Sequence, residues 1–302
     1  MTVRGEVLRQ EHPYGIASPG FRLPDATRVG AVHLQIDNLQ RSLEYYREVL
    51  GLHVLEGEVE SAALGAHGSD RPLVWLHARA GVKPAPRRGA FGLYHFAILL
   101  PDRAALGQFA EHLSQTGVRV GMADHLVSEA LYLTDPDGLG IEVYADRPRS
   151  IWQHRDRELA MTTAPLDIDS VIAAAGGNAW NGVPIGTTMG HIHLHVGNLE
   201  AAAAFYHRAL GFDQTVWNYP GALFFSAGGY HHHLGTNTWS PGPAATDDDA
   251  RLLEWELLVP SQEDAVAAAR SLGAAGYGTK TAGTGWTTAD PWGTRLRITP
   301  EA

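Results

Sequence analysis

"VGAVHLQIDNLQRSLEYYREVLGLHV", residues 29–54, returns as "MGHIHLHVGNLEAAAAFYHRALGFDQ", residues 189–214, without a gap at an offset of 160. Each copy reads as a strand, then Asn-Leu opening an amphipathic helix, then a Leu-Gly stop. A weaker pair follows. "LYHFAILLPDRAALGQFAEHLSQTGV" (93–118) lines up with "LLEWELLVPSQEDAVAAARSLGAAGY" (252–277) as strand, Pro turn, helix and glycine. Self-similarity of this kind sets the architecture before any other signal. The chain is therefore an α+β protein of four strand-helix-strands modules, in the pattern βαβββ, with approximate limits 29–80, 91–147, 188–240 and 252–300. Residues 1–28 read as an arm. Residues 148–187, charged and then rich in Gly and Pro, read as a connector with one helix near "PLDIDSVIAAA". The expected domains are a module pair at 29–147 and another at 188–302.

Composition narrows the function. The 302 residues are 44% hydrophobic and 19% charged, ordinary for a globular chain with sizeable cores. A net charge of −10 without a basic stripe argues against a nucleic-acid partner. No apolar run approaches the length of a membrane helix, and no charged-then-apolar leader opens the chain, so a cytoplasmic protein with no membrane partner is expected. There is no cysteine, so a metal would need His and carboxylate ligands; 16 histidines make that feasible. HExxH spacing, phosphate-binding glycine loops and a nucleophile elbow are all absent, which leaves hydrolase and nucleotide readings without support.

"DHLVSEALYLTDPDGLGIEVY", residues 124–144, carries two β-rich runs around Asp-Pro-Asp-Gly, a hairpin signature. Alternation turns Tyr132 and Glu142 to one face and Leu131, Leu133, Ile141 and Val143 to the other. A carboxylate on a strand covered on both faces needs a compensating cation. His33 and His95, on the first strands of modules one and two, supply two imidazoles to accompany Glu142. Two His and one carboxylate form the facial set of non-haem Fe(II) oxygenases, and Mn(II) accepts the same donors.

The four-module layout resembles the vicinal oxygen chelate superfamily of glyoxalases, bleomycin-resistance proteins and type I extradiol dioxygenases. His125, Leu131-Tyr132, Asp135-Pro136, Gly138 and Glu142 look like the extradiol ring-cleavage signature, with Ala123 departing from its first position. The whole chain looks like the catechol 2,3-dioxygenase-like proteins. The resemblance implies two vicinal-oxygen-chelate domains and makes His33, His95 and Glu142 ligands of Fe(II). It implies that Tyr132 hydrogen-bonds a substrate oxygen, that His125 lines the substrate side, and that His77 in "LVWLHAR" is the acid/base. The implied substrates are a small aromatic diol and O2, and a homo-oligomer is the expected assembly. Most two-domain ring-cleaving relatives keep iron in the C-terminal pair, so iron in the N-terminal pair is a departure.

The C-terminal half reads differently. His193 matches His33, but Glu254 stands where His95 is expected, Arg297 opposite Glu142, and Thr287 in place of Tyr132. An Arg there repels a divalent cation. "HIHLH" places His191, His193 and His195 on one strand face, and "GGYHHHLGTNTW" adds His231, His232 and His233. With Glu254 or Glu256 these form either a second metal site or, as favoured, a polar core in which Arg297 pairs with Glu254. The competing functions are a non-oxidative glyoxalase-like metalloenzyme, disfavoured by a His where an acidic ligand is needed, and a binder of small aromatics, disfavoured by the retained His, His, Glu set.

Overall fold

The computed structural model describes residues 12–86, 89–240 and 242–301; the start of the expected arm, residues 1–11, lies outside the described residues. Module one comprises β1 (Arg28–Ile36), α1 (Leu39–Glu48), β2 (His53–Gly57), β3 (Ser61–Gly65) and β4 (Pro72–Ala78). Module two comprises β5 (Gly92–Leu99), α2 (Arg103–Thr116), β6 (Gly121–Asp124), β7 (Ser128–Thr134) and β8 (Gly140–Asp146). The connector holds the short pair β9 (His154–Arg155) and β10 (Glu158–Leu159), then α3 (Ile168–Ala173). Module three comprises β11 (Thr188–His195), α4 (Leu199–Ala202) running on as a π-helix over Ala203–Ala209, β12 (Asp213–Val216), β13 (Ala222–Ser226) and β14 (Leu234–Asn237). Module four comprises β15 (Arg251–Val259), α5 (Gln262–Ala274), β16 (Lys280–Ala282), β17 (Gly285–Ala289) and β18 (Arg295–Pro300).

Local chemistry accounts for the repeat. Asn38 and Asn198 cap the helices of modules one and three, each accepting a backbone N–H at 2.9 Å, from Arg41 and Ala201. Gly51 and Gly211 end them at φ of +76° and +101°, a conformation costly for other residues. Strand alternation then sorts the side chains. Leu34, Ile36, Phe96, Ile98, Ile192, Leu194 and Leu257 join one buried cluster under the helices, while His33, His95, His191 and His193 alternate with them on the opposite face.

The sheets do not join the modules in the expected pairs. One eight-stranded sheet runs β16-β17-β18-β15-β1-β4-β3-β2 and the other β12-β13-β14-β11-β5-β8-β7-β6. Module one is thus continuous with module four, and module two with module three. The seams are antiparallel: His33 pairs with Glu254 across β1 and β15, and His193 with His95 across β5 and β11. Each sheet therefore takes one module from 29–147 and one from 188–302. Periodicity records which face of a strand is buried but not which edge it meets, and the forty-residue connector is long enough to carry module three round to module two.

Within each half the modules are tied by hydroxyl-to-turn bonds instead. Tyr46 on α1 donates to Asp135 at 3.1 Å, and Tyr206 in the π-helix donates to Asp290 at 2.9 Å. Arg41 adds an ion pair to the buried Asp137 at 2.5 Å. The described part of the arm packs on module three, with Leu23 buried and Arg22 paired with Asp213. Among the described residues no helix is long and apolar enough to cross a membrane.

Candidate metal centre

The hairpin expected at Asp-Pro-Asp-Gly forms as β7 and β8, with Tyr132 directly opposite Glu142 in the register. β8 runs parallel to β5, and β5 meets β11, so Glu142, His95 and His191 converge from three adjacent strands. Their donor atoms lie within 4.8 Å of one another and all three residues are buried. Glu142 Oε2 is 3.0 Å from His95 Nε2 and 3.1 Å from His191 Nε2. His95 Nε2 nevertheless has no aligned hydrogen-bond partner, and neither has the buried Nε2 of His193.

Buried nitrogens are normally bonded, so these orphans need a partner. A cation held by His95, Glu142 and His191, whose donor atoms converge, would supply one to His95 Nε2. Protonation favours the same reading. Burial alone would raise the Glu142 carboxyl, yet the imidazoles of His191 and His95 hold it well below the usual carboxylate range. Burial lowers His95, His191 and His193. An ionised carboxylate among neutral imidazoles is the state in which these groups bind a metal.

Above the cluster is a cavity of about 340 Å³, within the range of small-molecule sites. Tyr94, Tyr132, Tyr219, Phe224 and Trp239 give it an aromatic lining, and His125, His193 and His232 reach into it. His125 donates from Nδ1 to the Thr162 carbonyl at 2.6 Å, which leaves Nε2 to meet the Tyr132 hydroxyl at 2.7 Å. Burial, with Glu142 nearby, raises Tyr132 well above its ordinary value, so it is a neutral phenol. His232 is also lowered by burial; its ring centroid is 4.1 Å from that of His191.

Four of the six expected site residues meet here: His95, His125, Tyr132 and Glu142. His33 and His77 do not, and both assignments are corrected. They lie on β1 and β4 of the other sheet, bonded to each other at 3.1 Å, with His33 stacked on Trp75. The repeat explains the error. At an offset of 160, His33 corresponds to His193, whereas the cluster uses His191, whose counterpart is Ala31. Glu254 also belongs to the other sheet, where it accepts from Arg297 at 2.6 Å as the polar-core reading expected.

The histidines of "HIHLH" were legible as one face, yet their joining to His95 depends on the β5–β11 seam. The structure also brings in His232 and the aromatic wall of Tyr94, Tyr219 and Trp239. Only the seam and the loops at the strand ends bring these residues together.

Comparisons with known proteins bear on the family and the fold. The family model described as Glyoxalase/Bleomycin resistance protein/Dioxygenase superfamily matches residues 28–143 and 188–298. A protein of Bacillus subtilis (strain 168) named catechol-2,3-dioxygenase is 47% identical over 257 residues, covering 83% of this chain and 89% of that protein. The crystal structure of a putative dioxygenase from Bacillus subtilis aligns with a TM-score of 0.65 at 13% identity, over 93% of this chain and 86% of the other. Glyoxalase I from Zea mays aligns with a TM-score of 0.53 at 17% identity, over 90% and 92%. Similarity at these identities speaks to the fold alone.

Proposed function

The chain belongs to the glyoxalase/bleomycin resistance protein/dioxygenase superfamily, and from that premise we propose that it is an Fe(II)-dependent extradiol dioxygenase cleaving catechol or a substituted catechol. The observation that carries the reading is the buried convergence of His95, Glu142 and His191 beneath an aromatic-lined cavity. The 47% identity to a protein named catechol-2,3-dioxygenase supports the same substrate class. His95, His191 and Glu142 would hold the metal, leaving positions open for substrate. Once bound, Fe(II) would lower the pKa of a coordinated hydroxyl and bring dioxygen and the diol together.

The chain's own residues do the rest. The rings of Tyr94, Tyr219, Phe224 and Trp239 present flat apolar surface to an aromatic ring and exclude water from it. His232 is the base: its neutral ring lines the cavity beside His191 and takes the proton of a substrate hydroxyl. This role passes to His232 from His77, which lies in the other sheet.

Tyr132 and His125 form a hydrogen-bonded pair at the cavity. The Thr162 carbonyl takes the Nδ1–H of His125, so Nε2 accepts from the Tyr132 hydroxyl and the Tyr132 oxygen can accept from a substrate hydroxyl. The neutral Tyr132 phenol, held at the cavity wall by His125, is placed to hydrogen-bond a substrate oxygen.

The test is oxygen uptake by the purified protein, loaded anaerobically with Fe(II), on addition of catechol, with absorbance followed for a yellow ring-opened product. Stoichiometric uptake with a yellow product is expected. No uptake across a panel of catechols overturns the reading and turns attention to a non-oxidative metal enzyme.

A further inference from the structure

Behind the wall that His232 forms lies a second polar cluster, its histidine buried and its carboxylate half-buried. His231 Nδ1 is 2.7 Å from His232 Nδ1, and His231 Nε2 is 2.9 Å from Asp146 Oδ1. Tyr230 donates to the same Asp146 oxygen at 3.2 Å, and Tyr144 meets Tyr230 at 2.7 Å. The Thr215 hydroxyl holds the His231 carbonyl at 2.7 Å, fixing the backbone between the two rings. His233 is turned away, its Nδ1 accepting from the Ala227 N–H at 3.2 Å. The three consecutive histidines therefore have three different jobs.

Tautomers follow from this geometry. A carboxylate accepts only, so His231 must carry a hydrogen on Nε2 to meet Asp146. A neutral His231 then has a bare Nδ1. The short contact between the two Nδ1 atoms needs one hydrogen, which must come from His232 Nδ1. A neutral His232 with its hydrogen on Nδ1 has a bare Nε2. Each ring nitrogen is thus set by the hydrogen bond of the other, starting from one carboxylate at the end of β8.

We propose that Asp146 is a positioning residue which, acting through His231, holds His232 as the Nδ1–H tautomer and leaves its Nε2 bare. The link to turnover rests on the dioxygenase reading above; the tautomer does not. Glu142 and Asp146 leave the same strand four residues apart, so one strand carries one carboxylate to the candidate metal cluster and a second to the histidine that bonds the base.

The experiment is ¹⁵N imidazole spectroscopy on the metal-free full chain, wild type against Asp146→Asn, alongside steady-state kinetics of the Fe(II)-loaded protein. In the wild type the His232 signals should report Nδ1 protonated and Nε2 bare. In Asp146→Asn, whose amide can donate as well as accept, part of the His232 population should move its hydrogen to Nε2. kcat should fall about 10- to 100-fold, the usual cost of losing such an outer partner, with KM unchanged.

A wild-type His232 protonated at Nε2, or an unchanged pattern in the variant, overturns the proposal; an unchanged kcat overturns its link to catalysis. If wild type cleaves no catechol, the dioxygenase reading fails while the spectra still decide the tautomer. If Asp146→Asn does not fold, Asp146→Ser removes the same carboxylate and is read identically.

Discussion

The two sheets are built alike and carry opposite chemistry. Where β5, β8 and β11 place His95, Glu142 and His191, the matching positions of β15, β18 and β1 hold Glu254, Arg297 and Ala31. Arg297 bonds Glu254, and the cavity of about 510 Å³ beside them is lined by Lys280, Arg295 and Arg297. A fixed positive charge where the carboxylate should be makes that cup hostile to a divalent cation. Three side chains, not the fold, separate the two sites. The shared framework supplies geometry and the substitutions decide the use.

The sharpest break of the comparison is at the ligands. Glu142→Ala and His191→Ala should each weaken Fe(II) binding by more than about 10²-fold, beyond the cost of losing an outer-shell partner. His33→Ala, the expected ligand of the other sheet, should leave iron content unchanged. Metal analysis after gel filtration checks all three. Iron retained by Glu142→Ala and lost from His33→Ala would reverse the assignment of site to sheet.

Much of this difference was legible before any coordinates. The four modules, the hairpin at Asp135–Gly138, the inward Glu142 and the repulsion expected of Arg297 all follow from alternation, turn chemistry and charge, which are local properties. Two things were not. The pairing of module two with module three is a long-range choice of strand edge, on which periodicity is silent. The choice of His191 over His193 is a shift of two residues along one face, which alternation cannot resolve. Both fell on the same position, so His33 was expected where His191 stands beside His95 and Glu142.

The turns of the two halves invite a pH comparison. Burial pushes the Asp135 carboxyl up to about 7, although it accepts from the Leu139 and Asp137 N–H groups and from Tyr46. Its folded value therefore lies above its unfolded one, near 4. That stability is fully present below about pH 4 and is lost as pH rises through 7, by about 4 kcal/mol in all. Asp135→Asn mimics the protonated form, so urea melts at several pH values should show a flatter profile and a gain above pH 7. Asp290, its counterpart, is raised by burial too and should behave in the same sense.

Next in size is the pair of candidate bases. His232→Phe should retain iron but lower kcat by about 10²-fold or more. His77→Phe, in the other sheet, should turn over as wild type does. A slow His77→Phe beside a fast His232→Phe would return the acid/base role to module one.

The smallest effect should come from the glycines that precede the two equivalent strand positions. A Cβ on Gly190 would fall 1.8 Å from the Tyr144 hydroxyl and 2.6 Å from its Cζ. Tyr144 is fully buried and bonded to Tyr230, so it cannot swing aside without breaking that bond. Gly190→Ala should thus cost about 2 kcal/mol by overpacking. Because His191 is the next residue, with its ring 5.0 Å from Tyr144, iron affinity should drop as well. At the matching Gly30 a Cβ meets Glu256 and Leu258 at 2.8–3.0 Å. Gly30→Ala should therefore also destabilise, since the crowding atoms include the Glu256 Cβ, but it should leave iron binding untouched because Ala31 follows it. Thermal melts and iron titrations of the two variants separate a cost of folding, which both share, from a cost to the metal, which only the sheet bearing His191 can show.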